Sequence, residues 1–299
     1  MIRKIRISGI LLVTIILSSC IKDGVNECPE GNVKIHFYAE RFQNESQDPL
    51  ADKELVFNER IDHLHYYLYK NGSLLREATI DNTSQLNSGC YSLDLAQLEY
   101  GNYQLVTIAN CRKNSLTGNP ADPSNLVLVY PGSADTEDFF TSVLKFNVSS
   151  EETKEYEAGL SRVHGVIRYK FENMPENADR VEIIMENMSG EKWITGEYKK
   201  ACNTTHLFYK LRNAKEDNEN GYVIGTFPTL DNDYATYYLN IYKEGENEPS
   251  FREMISNKIT ITRNQLVEIK TTFANGSFSF EINLDSKWDG SSSEIETDI

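Results

Sequence analysis

The chain has 299 residues, with 45 acidic against 30 basic side chains and a formal net charge of −15. Such an acidic surface argues against nucleic acid as a partner and against adsorption to anionic lipid by charge. The length leaves room for two domains of ordinary size, and no stretch supplies the roughly 20 apolar residues that a spanning helix needs.

Arg3, Lys4 and Arg6 precede an apolar run over residues 7–17, broken only by Ser8, Gly9 and Thr14. Leu17-Ser18-Ser19-Cys20 follows. A basic start, a short apolar run and small residues make the layout of an export signal over residues 1–19. Leu17 to Cys20 resembles the lipobox of bacterial lipoproteins. The resemblance implies cleavage before Cys20, a diacylglyceryl thioether on its sulfur and acylation of the new amine. Several chains are required because each buried CH₂ contributes only about 0.8 kcal/mol. Residues 20–30 are then a lipidated tether.

After residue 28 the apolar period is two, which puts alternate side chains on one face of a strand. Val33, Ile35 and Phe37 alternate with Lys34, His36 and Tyr38. Leu64, Tyr66 and Leu68 alternate with His63, His65, Tyr67 and Tyr69, and Asn71-Gly72 predicts a hairpin turn behind them. Leu93 to Leu98 reads as a short helical turn. Tyr103, Leu105, Thr107 and Ala109 follow the turn pair Gly101-Asn102. A short strand over residues 126–130 ends at Pro131-Gly132, and Leu144, Phe146 and Val148 alternate again. Residues 151–157 are charged and lack a strand pattern, so the domain boundary is placed there.

The second half repeats this style. Ile167, Tyr169 and Phe171 are followed by Val181, Ile183 and Met185, and then by Tyr237, Leu239 and Ile241 before the turn Glu244-Gly245. Residues 210–221 read as a polar loop. Ile259 and Ile261 are separated from Val267 and Ile269 by the turn-like Arg263-Asn264, and Phe278, Phe280, Ile282 and Leu284 close the set. Many short strands and abundant tyrosine predict an all-β chain of sandwiches with few short helices. The domains are predicted over residues 31–156 and 157–299, the second with a flexible tail.

Besides Cys20, the cysteines are Cys28, Cys90, Cys111 and Cys202. An exported chain can oxidise them, but spacing does not choose a pairing. One bridge among Cys28, Cys90 and Cys111 and two bridges overall both remain open. His63 and His65 share a strand face at a spacing that suits two metal-bound imidazoles, yet no third ligand is near in sequence. Asp231-Asn232-Asp233 lacks the glycine and closing glutamate of a calcium loop. There is no GxSxG, HExxH, P-loop or GxGxxG pattern, so no catalytic residue, metal or cofactor is assigned and the chain is read as a non-enzyme. Tyr66, Tyr67, Tyr69, Tyr237, Tyr238, Trp193 and Trp288 offer a sugar-stacking platform, but core packing is the favoured role for most of them.

Several segments in order carry a family likeness. Asn26-Glu27-Cys28-Pro29-Glu30-Gly31 leads into Val33-Lys34-Ile35-His36-Phe37; Tyr100-Gly101-Asn102-Tyr103-Gln104-Leu105-Val106 runs into Ile108-Ala109-Asn110; Leu160-Ser161-Arg162-Val163-His164-Gly165-Val166-Ile167 opens the second half; Phe227-Pro228-Thr229-Leu230, Thr262-Arg263-Asn264-Gln265 and Trp288 follow. This order resembles the FimB-like anchor subunits of Bacteroidales fimbriae, within the fimbrillin superfamily, and Ile21-Lys22-Asp23-Gly24 resembles the acidic tag that routes some Bacteroidales lipoproteins to the outer face of the outer membrane.

The resemblance implies two tandem transthyretin-like sandwiches. It also implies a role at the base of a pilus, holding the fibre to the outer membrane and limiting its length, with fimbrial shaft subunits as partners through β-strand addition. Shaft subunits of this kind lose their first strand to cleavage after arginine. An anchor that did so would lose its lipid, so the strand Val33 to Phe37 is expected to stay in place although Arg41 and Arg60 follow it. Phe278, Phe280, Ile282, Leu284 and Trp288 are the expected partner-binding residues. The alternatives are a shaft or tip subunit and a surface glycan-binding lipoprotein.

Overall fold

The structure, a computed structural model, describes residues 29–39, 57–81, 91–111, 115–131, 138–175, 177–209, 222–230, 234–274, 277–284 and 295–296. In chain order they form β1 (Glu30–Ala39), a one-turn helix α1 (Phe57–Arg60), β2 (His63–Lys70), β3 (Ser73–Asp81), β4 (Tyr91–Glu99), β5 (Gly101–Ala109), β6 (Leu116–Thr117), β7 (Val127–Val129), β8 (Phe140–Val148) and β9 (Lys154–Arg162). The second half adds β10 (Gly165–Glu172), β11 (Ala178–Trp193), β12 (Tyr198–Tyr209), β13 (Tyr222–Thr226), β14 (Ala235–Lys243), β15 (Phe251–Ile259), β16 (Leu266–Ala274), β17 (Ser277–Leu284) and β18 (Ile295–Glu296). The all-β expectation holds.

The first seven long strands join in the order β3-β2-β5-β8-β9-β1-β4. This run folds over where β8 meets β9, since only Phe140↔Arg162 and Thr141↔Ser161 pair there. The two halves close on a core that includes Val33, Ile35, Phe37, Leu64, Leu68, Leu105, Phe140 and Leu160. Burying one face explains the alternation along β1 and β9, whereas β2 and β5 are buried on both faces toward their C-terminal ends. The second sandwich stacks β13-β10-β16-β17-β18 on a sheet built from β15, β14, β11 and β12, around Ile167, Tyr169, Phe171, Ile183, Tyr237, Leu239, Val267 and Ile269.

The second sandwich repeats the first. β1 pairs antiparallel with β4 and parallel with β9, and β10 pairs antiparallel with β13 and parallel with β16. β2 lies between β3 and β5 as β11 lies between β12 and β14. The repeat extends to residues: Gly31, Val33, Lys34, Ile35 and Phe37 stand where Gly165, Ile167, Arg168, Tyr169 and Phe171 stand. A Cβ on Gly31 would lie 2.3 Å from the Ser150 carbonyl oxygen, and one on Gly165 would lie 2.5 Å from that of Thr262. Each first strand thus starts pressed against the turn before its parallel partner, a closeness only glycine allows.

Two additions break the repeat. The segment between β5 and β8 carries β6 and β7 across to the second sandwich, where Val127, Leu128 and Val129 pair with Trp193, Lys192 and Glu191 of β11. β17 and β18 are appended to the far side of β16. A third core lies under the first addition and joins the sandwiches through Tyr67, Tyr69, Val106, Ile108, Leu128, Tyr130, Phe139, Val163, Ile194 and Phe227.

Two local expectations are corrected. Leu93 to Leu98 is no helical turn but part of β4, with Leu93 and Leu95 facing inward against β1. Its period breaks because Gln97 takes a positive φ of 57°, and the register slips between Gly31 and Val33 of β1. The resulting bulge displaces Leu98 and mimics helical spacing. The charged stretch over residues 151–157 runs into β9, which is a strand from Lys154. Its glutamates Glu155 and Glu157 lie on the solvent face, while Ala158, Leu160 and Arg162 face in. The expected loop over residues 210–221 lies outside the described residues.

Candidate assembly interface

β1 is held on both edges, by β4 and by β9, over Val33 to Phe37. Its inward side chains Val33, Ile35 and Phe37 are 1%, 0% and 1% exposed. Fully burying each such side chain contributes about 1.5–3 kcal/mol. On its outer face, Lys34 lies 3.6 Å from Asp94 and His36 lies 3.5 Å from Glu155. Arg60 is half-buried at the end of α1, and its carbonyl accepts a hydrogen bond of 2.5 Å from Asn110 Nδ2.

At the other end of the chain, Phe278, Phe280 and Ile282 of β17 are 9%, 7% and 6% exposed and belong to the second core. Phe278 packs on Phe251 at 4.6 Å and on Phe273 at 4.8 Å between ring centroids. Their faces are therefore engaged within the chain, and what β17 offers outward is its main-chain edge, where β18 pairs with Glu281 and Ile282. Leu284 ends β17, while Trp288, Cys20, Cys28 and Cys90 lie outside the described residues. Cys111 follows β5 and is half-buried, as is Cys202 on β12.

The junction between the sandwiches is polar at its centre. Arg162, 2% exposed, donates from Nε to both carboxylate oxygens of Asp138 at 2.8 Å and from Nη1 to Asn264 Oδ1 at 3.1 Å. Next to it, His164 Nδ1 accepts from the Phe139 N–H at 3.2 Å, with the ring packed against Phe139 and Phe227. Burial, and secondarily the Arg162 charge, push the His164 pKa down to about 3, so the imidazole is neutral. The Tyr198 hydroxyl donates to the Val163 carbonyl at 2.5 Å. These bonds make the connection between domains a fixed corner.

His63 and His65 are taken up by partners within the protein. Among the described residues no group of three or more His, Cys, Asp or Glu is arranged to hold one. His63 Nε2 donates to the Cys111 carbonyl at 3.2 Å. His65 lies between Thr79 Oγ1 at 2.7 Å and Glu77 Oε1 at 3.1 Å, partners on the neighbouring strand that sequence spacing does not reveal. They line a cleft of about 500 Å³ with Tyr67, Asp81, Ile108 and Leu126. Desolvation, and then the nearby Glu77, raise the Tyr67 pKa to about 12, so its phenol stays protonated. Of the aromatics considered for a sugar platform, Tyr66, Tyr67, Tyr69 and Tyr237 are buried, Trp193 and Tyr238 are half-buried, and Lys199 lies over the Trp193 ring at 4.8 Å.

Comparison with solved structures finds the same overall fold repeatedly. The fimbrial anchor protein Mfa2 of Porphyromonas gingivalis superposes with a TM-score of 0.54 at 10% identity, covering 89% of this chain and 100% of its own. A fimbrial assembly protein of Parabacteroides distasonis gives 0.57 at 9% identity over 90% of this chain and 99% of that one. A protein of Bacteroides thetaiotaomicron described as a polysaccharide-binding candidate gives 0.62 at 15% identity, again over 90% and 99%. At such identities the likeness is one of fold. No curated protein matches the chain. A family profile, described as fimbrillin-A associated anchor proteins Mfa1 and Mfa2, matches residues 25–290. A match over that span of a chain with this repeated sandwich and this paired first strand shows that the protein belongs to the fimbrillin-A associated anchor family.

Proposed function

We propose that the chain is the anchor subunit of a fimbria. It is exported, lipidated on Cys20, and held at the outer membrane with both sandwiches outside. It receives the first shaft subunit through main-chain hydrogen bonds at a sheet edge and so sets where the fibre begins. Family membership supports a fimbrial, non-enzymatic role at the cell envelope. The observation that carries the anchor reading is β1. It is paired on both sides and buried at Val33, Ile35 and Phe37, a short tether downstream of the lipid cysteine. A strand so held keeps body and lipid in one chain.

A shaft role requires cleavage after Arg41 or Arg60 and loss of β1. Arg60 is half-buried with its carbonyl engaged by Asn110, which disfavours a protease there, since cleavage needs an extended, accessible segment. Mass spectrometry of the protein from the cell surface tests the reading. A mature start at Cys20 carrying acyl chains supports the anchor. A start just after Arg41 or Arg60 sinks it in favour of a shaft subunit.

A further inference from the structure

We infer that the outer edge of β9 over residues 154–160, unpaired among the described residues, is a docking site for an extended segment of a partner subunit, added as an antiparallel strand with apolar side chains at alternate positions and a basic side chain between them. The fimbrial reading supplies the kind of partner; the site itself follows from the internal repeat.

The chain contains its own precedent. Val33↔Lys154, Ile35↔Tyr156 and Phe37↔Ala158 in the first sandwich correspond to Ile167↔Val267, Tyr169↔Ile269 and Phe171↔Thr271 in the second. On its other edge β16 carries β17, with Ile269↔Ile282, Thr271↔Phe280 and Phe273↔Phe278. Among the described residues the same edge of β9 is paired only at Ser161 and Arg162, by β8. The repeat therefore presents one strand-binding edge twice, and among the described residues only the second-sandwich edge is filled, by β17. An unfilled edge is a row of N–H and C=O groups ready for main-chain pairing.

The side chains define the occupant. Inward-facing Tyr156, Ala158 and Leu160 stand in the places of Ile269, Thr271 and Phe273. Ala158, like Thr271, is small and buried, which leaves width for a large apolar side chain opposite, as Phe280 lies opposite Thr271. On the solvent face Lys270 lies 4.0 Å from Glu281 of β17. Glu157 holds the place of Lys270 with the opposite sign, so a basic residue belongs across from it. Beside this edge opens a cleft of about 410 Å³ lined by Val143, Glu157, Ala158, Gly159, Ile194 and Tyr198. Val143 is an apolar side chain left 39% exposed.

The test uses the mature chain and a fluorescent peptide copying residues 277–284 with the change Glu281→Lys. Saturable binding is expected, with protection of β9 amides in hydrogen exchange. N-methylation at one alternate set of peptide positions abolishes it and at the other set does not. Glu157→Lys, an exposed change, weakens this peptide about threefold and strengthens the unaltered Glu281 copy by a similar factor. No saturable binding, equal effects of both N-methyl sets, or no response to Glu157→Lys each overturn the site. The measurement needs no lipid and no fibre. A chain that binds the peptide but starts after Arg41 in cells would keep the site and lose the anchor role.

Discussion

Arg162 and Asn264 are hydrogen-bonded across the line between the two sandwiches, Nη1 to Oδ1 at 3.1 Å. Arg162 is the last residue of β9, and Asn264 sits in the turn before β16 at a φ of 58°. The Asn264 N–H in turn donates to the His164 carbonyl at 2.7 Å. The residue that ends the first domain therefore holds the turn that launches the central parallel strand of the second. With the third core and the β7–β11 pairing, this leaves little freedom at a joint that carries load between membrane and fibre in the proposed role.

Replacing Arg162 by methionine keeps much of its volume but removes its hydrogen bonds to the Asp138 carboxylate and to Asn264 Oδ1. Because Arg162 is buried while Asp138 is partly solvated, the loss is expected to be about 3 kcal/mol. Arg162→Lys restores charge without the planar fork and should recover less than half of it. Urea unfolding of the three proteins at one pH measures this.

Two buried histidines predict how stability follows pH. Burial holds His164 down to about 3 and His206 down to about 4, while the unfolded chain titrates them near 6.5. Below that value the unfolded state takes up protons that the folded state refuses. The stability they contribute is complete above about pH 6.5 and declines as pH falls, by up to about 1.4 kcal/mol per unit for each. Melting curves between pH 7.5 and 5 should show the decline, and His206→Leu should remove roughly half of the slope.

The paired glycines predict matching penalties. Gly31→Ala and Gly165→Ala each drive a methyl group into a carbonyl oxygen and a branched side chain, Val148 or Ile261. Each is expected to cost about 2–3 kcal/mol through forced backbone shifts. Denaturant midpoints that fall together show that the two sandwiches share one constraint; a silent Gly31→Ala shows that β1 starts elsewhere.

The second core contains hydroxyls that find no partner among the described residues, including Thr204 and Thr271. Thr271 is fully buried between Phe171 of β10 and Phe280 of β17. Thr271→Val removes a desolvated oxygen while keeping the shape, and should raise stability by about 1 kcal/mol. A lowered melting temperature would contradict this.

The cysteine expectation is checked by peptide mapping without reductant. A bridge among Cys28, Cys90 and Cys111 is expected. Burial raises the Cys202 thiol pKa, against a smaller opposing effect of Lys200, so Cys202 should alkylate slowly in the native protein and readily in urea.

Much of the strand content was legible because a sheet with one buried face writes a period of two into its residues. β1, β2, β5, β10, β14 and β17 all sit where alternating Val, Ile, Leu, Tyr and Phe predict them. The turns at Asn71-Gly72, Gly245 and Asn264 have the positive φ their residue types suggest. β12 was not legible. Its inward positions are Cys202, Thr204 and His206, while Leu207 is 45% exposed, so its apolar pattern is reversed. The repeat is written in the sequence as Gly31 to Phe37 against Gly165 to Phe171, with glycine and alternating apolar residues at matching places.

By itself, then, the sequence determined the all-β character, most of the faces that turn inward, and a family order of motifs. The tertiary structure alone decided that β7 crosses to β11, that Arg162 meets Asn264, that Phe278, Phe280 and Ile282 pack into the chain's own second core, and that among the described residues the β9 edge carries no counterpart of β17. The reason is that side chains record burial, whereas strand partners are chosen through main-chain N–H and C=O groups that every residue but proline shares.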